Sequence, residues 1–311
     1  MFSSSVFSSL RRYGVRTAGN HSVLGSRFPP IIHQGMQGNG QEADVEVKER
    51  VIGVLGGMGP AAGVDLVSKI IDQTDARSDH EHLPVALLNY PERIIDRSTF
   101  LFGETDTNPA FALAGILRQL EGAGAVVAGI PCNTAHAPAI LDVVQDELDR
   151  TGHTIRVLHM IEETAAFMHR HMPHVQTVGT LSTLAVYDLG LHRKPLEAAG
   201  FDVIAPDEDI KADVVNRTIF DTEFGLKAQS HPVTDQARAN LVSAIDHLVA
   251  KGADAVVLGC TELPLAPMVE ERSDVLLVDP AEILARALIR DTYPDALVPL
   301  AEHYAVHATS A

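Results

Sequence analysis

The sequence predicts an α/β protein built from two similar parallel-sheet, Rossmann-like halves related by a pseudo-twofold axis, with a binding cleft between them. Two observations carry this expectation. From Val51 onward, short β-branched apolar runs alternate with amphipathic stretches of helical period, the pattern of parallel strands covered on both faces by helices. Two of these runs also recur in the same order. Val51-Ile52-Gly53-Val54-Leu55 is echoed 126 residues later by Thr177-Val178-Gly179-Thr180-Leu181. Gly122-Ala123-Gly124-Ala125-Val126-Val127-Ala128-Gly129 is echoed 130 residues later by Gly252-Ala253-Asp254-Ala255-Val256-Val257-Leu258-Gly259, and a cysteine follows each copy.

The elements follow in order. No acidic residue precedes Glu42, while Arg11, Arg12, Arg16, Arg27 and a scatter of serines fill the first stretch. Residues 1–48 therefore read as a disordered or transit-like leader, whose address would be the mitochondrion or chloroplast; without that address the cytoplasm is expected. A first half over 49–155, joined by part of the C-terminal tail, should hold strands at 51–55, 84–88 and 125–129. A second half over 156–311 should hold strands at 156–159, 177–181, 202–204, 255–259 and 275–278. The clearest helix follows Thr234, where Ala237, Leu241, Ala244, Ile245 and Leu248 line up as an apolar stripe that should pack on a sheet.

Charge and composition narrow the partners. Acids outnumber bases by 41 to 24, a formal net charge of -17, which repels nucleic-acid phosphates and anionic membranes. No apolar run approaches the roughly 20 residues needed to span a bilayer. A small molecule is the expected partner. Cys132 and Cys260 are the only cysteines of the 311 residues, too few for a disulfide-stapled scaffold.

Both cysteines stand at the carboxyl ends of expected strands, where open α/β sheets bind ligands. If the halves face one another, the two thiols approach one cleft from opposite sides. Each lies between a strand and an expected helix, with Asn133 and Thr134 or Thr261 and Glu262 next to it as candidate caps. A helix N-terminus lowers a thiol from its reference pKa of about 8.5. A thiolate that removes a carbon-bound proton, paired with a thiol that returns one to the opposite face, inverts a stereocentre.

Other readings of the same residues remain open at this point. A buried cysteine can be an inert small hydrophobe. A Cys132–Cys260 disulfide needs Cα atoms within about 7 Å and would end such proton traffic. Zinc lacks the close CxxC spacing of structural sites, and Asp79-His80-Glu81-His82 reads as a solvated loop, so no metal is expected. Gly57-Met58-Gly59-Pro60-Ala61-Ala62 satisfies a dinucleotide-type GxGxxA, with Asp79 about twenty residues on. Against that reading, Pro60 removes an N–H from the turn and the cysteine motifs are left unexplained.

Five segments resemble the aspartate/glutamate racemase superfamily, across essentially all of residues 51–300. They are Gly53-Val54-Leu55-Gly56-Gly57-Met58-Gly59-Pro60, Asp96-Arg97-Ser98-Thr99, Pro131-Cys132-Asn133-Thr134-Ala135-His136, Phe224-Gly225-Leu226-Lys227 and Gly259-Cys260-Thr261-Glu262-Leu263-Pro264. The resemblance implies a cofactor-independent enzyme of two α/β domains with the site between them, commonly a homodimer. Cys132 and Cys260 match its acid–base pair. Asn133, Thr134 and Thr261 match positions that hold a substrate carboxylate, and Met58 lies on the glycine-rich loop at the cleft. Arg97 and Lys227 match a DR[ST] and a GxK motif and can pair with carboxylates, Arg97 as a bidentate fork. Glu262 either orients Cys260 or caps its helix.

The superfamily also includes algal-type dimethylsulfoniopropionate lyases, in which a thiolate takes the proton beside a carboxylate and dimethyl sulfide and acrylate are released. A sulfonium pocket calls for aromatic residues, and the chain has no Trp and 5% aromatics. The amino-acid racemase is therefore the expected activity, on a small carboxylate substrate. The lyase is its alternative, and a two-lobed carboxylate-binding protein without chemistry the third reading.

Overall fold

The protein is described by a computed structural model over residues 50–266, 275–301 and 304. The predicted leader lies outside the described residues. Among those described, eight strands form two four-stranded parallel sheets. The first holds β1 (Val51–Gly56), β2 (Val85–Asn89), β3 (Ala125–Gly129) and β4 (Arg156–Leu158) in the order β2-β1-β3-β4. The second holds β5 (Thr177–Leu181), β6 (Asp202–Ile204), β7 (Ala255–Leu258) and β8 (Leu276–Val278) in the order β6-β5-β7-β8. The same order in both sheets is the duplicated unit expressed in three dimensions.

Two readings of the sequence are corrected here. The strand expected at 156–159 was to open the second half, but as β4 (Arg156–Leu158) it pairs with β3 and closes the first sheet. Three residues carry no signal of which sheet they join. A side chain from another element decides it: Glu121, at the end of α3 (Ala110–Gly122), accepts hydrogen bonds from the N–H groups of Thr154 and Ile155 and from the Thr154 hydroxyl. The second correction is the repeat offset. Gly53 pairs with Ala128, and its counterpart Gly179 pairs with Val256. Ala128 and Val256 are 128 residues apart, so the third strands of the two sheets correspond at 128 rather than 130. At 130 the cysteines are out of step by two residues; at 128 Cys132 and Cys260 are equivalent. The composition of buried strands, drawn from Gly, Ala and Val, lets a sequence echo slide by two without penalty, whereas backbone pairing fixes it.

Helices cover both faces of each sheet. Leu113, Leu117 and Leu120 of α3, with Ile140, Val144 and Leu148 of α4 (Pro138–Arg150), fill one face of the first sheet. The opposite face takes Leu66 and Ile70 of α1 (Pro60–Asp72) and Leu284 and Leu288 of α10 (Pro280–Thr292). The chain thus returns to its first sheet after completing the second. α10 packs so closely that a Cβ on Gly129 would meet Leu288 Cδ1 at 2.9 Å. α5 (Met160–His171) contacts α10 and gives Met168 to the second half's core. The predicted stripe on α9 (Asp235–Ala250) is buried at all five positions and packs against β5 and β7. No helix among the described residues is long and apolar enough to cross a membrane.

Because Leu288 is wholly buried between α10 and the first sheet while Val64 of α1 is 57% exposed, their truncations should diverge. Leu288→Ala is expected to cost about 2–5 kcal/mol and Val64→Ala less than about 0.5 kcal/mol. Urea unfolding of the two variants checks this, and equal midpoints would contradict the packing described.

Candidate active site

In each sheet the strand order reverses between the first and third strands, β1 and β3 or β5 and β7. The loops leaving such a pair diverge and open a crevice beyond the carboxyl ends. The two crevices share one cavity. The first half contributes Met58 after β1, Arg97 after β2, and Cys132, Asn133 and Thr134 after β3. The second contributes Thr183 after β5, then Phe220 and Lys227, and Cys260, Thr261 and Glu262 after β7. Every site residue expected from the sequence therefore lines this one space. Both thiols are buried and free, so no disulfide joins them.

The inner wall is organised around a backbone carbonyl. Gly57 leaves β1 with φ of 108°, a left-handed turn that favours glycine, and Pro60 starts α1, where its missing N–H is no loss. Between them, the Met58 carbonyl accepts from Arg97 Nη2 at 2.9 Å and from Lys227 Nζ at 3.0 Å. Asp96 caps the short helix α2 (Arg97–Leu101) by accepting from the N–H groups of Ser98 and Thr99, which turns Arg97 inward. Burial works against the charge on Arg97, but neighbouring Cys132 and Asp96 outweigh it and hold its pKa above the ordinary value. Arg97 Nε is buried and makes no hydrogen bond.

On the opposite wall Glu262 is shared. Its Oε1 accepts from Lys227 Nζ at 2.6 Å and its Oε2 from the Cys260 thiol at 3.0 Å. Gly59 permits this approach, since a Cβ there would stand 2.6 Å from Oε1. Burial opposes the charge on Lys227, but Glu262 and Cys260 overcome it and raise its pKa. Burial, reinforced by the Glu262 charge, pushes the Cys260 thiol well up, against the opposing pull of Lys227.

These facts correct the expected electrostatics. No α-helix begins at either cysteine. Cys132 caps a single 3-10 turn, Asn133–His136, in which Ala135 N–H bonds the Cys132 carbonyl at 3.1 Å. Cys260 instead begins a turn closed by Leu263 N–H on its carbonyl at 2.9 Å, and the 3-10 turn that follows, Leu263–Leu265, has Glu262 at its cap position. α4 begins only at Pro138. The helix-terminal lowering expected for both thiols is thus replaced at Cys260 by a raised pKa. Asn133, Thr134 and Thr261 cap no helix; Thr261 Oγ1 instead donates to the Pro131 carbonyl at 3.1 Å, tying the second cysteine loop to the first. Of the two roles open to the Glu262 side chain, contact with Cys260 is the one observed. Arg97 spends Nη2 on the Met58 carbonyl and Nη1 on the Ile95 carbonyl at 3.5 Å, and so does not present its full fork.

Of the histidines behind the cavity, the sequence pointed to His136 and His159 and missed His192. His136 Nδ1 meets the Cys132 carbonyl at 2.9 Å, its ring lies 4.8 Å from that of His159, and His192 Nε2 meets Asn133 Oδ1 at 2.9 Å. His136 belonged to a motif; nothing in the neighbourhood of His192 marks it. The 79–82 segment forms an exposed 3-10 turn at Asp79–Glu81. Among the described residues no three His, Cys, Asp or Glu side chains converge as a metal set.

Burial, aided by His159, pushes His136 down to about 3 and His192 to about 4 from an ordinary 6.5. Between those values and 6.5 the unfolded chain binds protons that the folded chain refuses, so stability falls as pH falls. Each histidine contributes a slope of up to about 1.4 kcal/mol per pH unit. Urea midpoints at pH 7, 6 and 5 should decline in that order; a flat series would contradict two buried neutral imidazoles.

The comparisons with known proteins converge. The Asp/Glu/Hydantoin racemase family model matches residues 55–288. The broad specificity amino-acid racemase RacX of Bacillus subtilis (strain 168) is 25% identical over 249 residues, 77% of this chain and 96% of the relative. Among solved structures, the aspartate racemase of Picrophilus torridus aligns with a TM-score of 0.66 at 27% identity, over 83% of this chain and all of that one. An aspartate racemase homologue from Pyrococcus horikoshii OT3 aligns with a TM-score of 0.59 at 25% identity, over 79% of this chain and 99% of that one. With the family model spanning both sheets and both cysteine loops, the chain belongs to the Asp/Glu/Hydantoin racemase family, an isomerase family.

Proposed function

We propose that this chain is a cofactor-independent racemase of acidic amino acids, aspartate or glutamate, in which Cys132 and Cys260 exchange protons with opposite faces of the substrate Cα. The observation that carries this reading is the placement of two free thiols, at equivalent positions of two duplicated halves, on one cavity that also holds Arg97 and Lys227. Two carboxylates of a substrate have matching donors there. The α-carboxylate goes to the side chains of Asn133 and Thr134 and to the loop at Thr261, whose hydroxyl is already given to the Pro131 carbonyl. The side-chain carboxylate goes to the cationic wall of Arg97 and Lys227, where charge-assisted hydrogen bonds are strong. Phe220 is the aromatic ring on this cavity, which supplies no cage for a sulfonium.

The two thiols enter the reaction differently. Cys260, raised in pKa and hydrogen-bonded to Glu262, is the proton-loaded acid. Cys132, with the Arg97 guanidinium beside it, is the base. The Cys132 thiolate takes the Cα proton, the C–H electron pair is delocalised into the α-carboxylate, and Cys260 delivers its proton to the other face. Cα is then inverted, Cys132 is a thiol and Cys260 a thiolate, compensated by Lys227. The reverse reaction uses the same groups in exchanged roles, and Glu262 is the carboxylate through which the Cys260 proton is held.

Incubation with each enantiomer of aspartate and glutamate, and separately with dimethylsulfoniopropionate, in deuterium oxide tests the reading. Inverted amino acid carrying solvent deuterium at Cα is expected; release of dimethyl sulfide with no inversion would assign the chain to elimination instead, and binding without either would leave a carboxylate-binding protein. Cys132→Ser and Cys260→Ser should each lower racemisation by about 10²-fold or more, the usual scale of one acid–base group. Near-normal turnover in either variant defeats the two-thiol scheme. Glu262→Gln removes a negative charge that raises the Cys260 pKa, so the alkaline limb of the rate profile should move to lower pH. An unmoved or upward-shifted limb would show that Cys260 is not the acid being titrated.

A further inference from the structure

One buried side chain outside the expected set touches both cysteine loops. His192 lies between α6 (Leu184–Leu189) and α7 (Arg193–Ala198) and is 2% exposed. Its Nε2 meets Oδ1 of Asn133, the residue after Cys132, at 2.9 Å. Its ring also lies flush on Gly259, the residue before Cys260: a Cβ there would stand 2.9 Å from both Cδ2 and Nε2 of the imidazole. The Gly259 carbonyl is held in turn by the Ser182 hydroxyl. A single ring in the second half therefore spaces the loop that carries each thiol.

The hydrogen bond also has a direction. An amide oxygen only accepts, so the ring nitrogen facing it carries the hydrogen, which defines the neutral Nε2–H tautomer. His192 Nδ1 makes no hydrogen bond, leaving the contact to Asn133 as the one that sets the tautomer. With Oδ1 committed to His192, the Asn133 amide cannot rotate by half a turn without setting its NH2 against an N–H donor. Its Nδ2 is left buried and unpartnered on a residue that lines the cavity. A buried donor without a partner costs free energy unless a ligand satisfies it.

We infer that His192 is a positioning residue: it locks the Asn133 amide with the NH2 turned toward the cavity as a donor for the substrate carboxylate, and it spaces the two cysteine loops. This rests on the racemase reading for the identity of the carboxylate, but not for the amide lock itself. An imidazole does this better than a flexible donor because it is planar, fully buried and held neutral by its surroundings. A cation at this point would stiffen the same contact but would need a counter-charge that the buried pocket between the loops does not provide.

The test uses the full chain and the variants His192→Leu and His192→Gln. Leucine removes the donor, while glutamine can present an N–H to the same oxygen. His192→Leu should raise KM for the racemised amino acid about tenfold or more, the scale of one charge-assisted hydrogen bond, with kcat changed less than KM; His192→Gln should recover most of the loss. A KM within twofold of wild type in His192→Leu, or a glutamine variant no better than the leucine one, overturns the proposal. Independently of turnover, 15N NMR of the wild-type imidazoles should show His192 as the neutral Nε2–H tautomer from pH 5 to 8, and the Asn133 side-chain NH2 signal should shift on titration with aspartate. An Nδ1–H tautomer or an imidazolium in that range overturns the lock. If wild type exchanges no Cα proton while these NMR results hold, the racemase reading falls and the lock stands.

Discussion

The carbonyl oxygen of Met58 is the point on which the cavity depends. Two cations, Arg97 from the first half and Lys227 from the second, donate to it. Two buried cations brought to one place repel unless each has a compensating group. Arg97 has Cys132 and Asp96 beside it, and Lys227 has Glu262. The carbonyl dipole between them aligns both donors. The backbone that supplies this oxygen is set by its neighbours: a left-handed glycine before it, and after it a glycine that admits the Glu262 carboxylate and a proline that starts a helix. The glycine-rich loop thus serves the two halves as a shared electrostatic joint rather than as a phosphate cradle.

From that joint the asymmetry of the two thiols follows. Their places are equivalent, each after the third strand of its sheet and each with its carbonyl accepting from the N–H three residues on, yet their partners differ. Cys132 faces a guanidinium, and Cys260 donates to a carboxylate already bound to an ammonium. A duplicated fold supplies the twofold placement, and unlike side chains at matching loop positions give the two thiols different surroundings. At the register of 128, Asn133 corresponds to Thr261 and Thr134 to Glu262. The position that carries a hydroxyl in one half thus carries the proton-holding carboxylate in the other. Cross-links between the halves keep the arrangement in register: the Thr261 hydroxyl on the Pro131 carbonyl and the His192 imidazole on the Asn133 amide.

Much of the framework was legible from local patterns. Each predicted strand has a counterpart within about a residue at either end, and the five apolar positions of α9 are the five that are buried, because period and β-branching report directly on which face meets a core. The motifs around Cys132, Cys260, Arg97 and Lys227 likewise named residues that meet on one cavity. The readings that failed were of another kind. Whether 156–158 joined the first or second sheet turned on Glu121, and whether a helix began at the cysteines turned on prolines and 3-10 turns several residues downstream.

What the sequence determined by itself was the set of elements and the chemistry-bearing residue types, since both are written in spacings of a few residues. What the tertiary structure decided was the pairing: the offset of 128, the sharing of Glu262 between Lys227 and Cys260, the anchoring of two cations on Met58, and the place of His192. Apart from Cys260 and Glu262, which are two positions apart, these contacts join residues 35 to 169 positions apart, as for Lys227 with Glu262 and with Met58. At such separations no periodicity links the partners, and the contact exists only because two sheets with the same strand order turn their crevices onto one space.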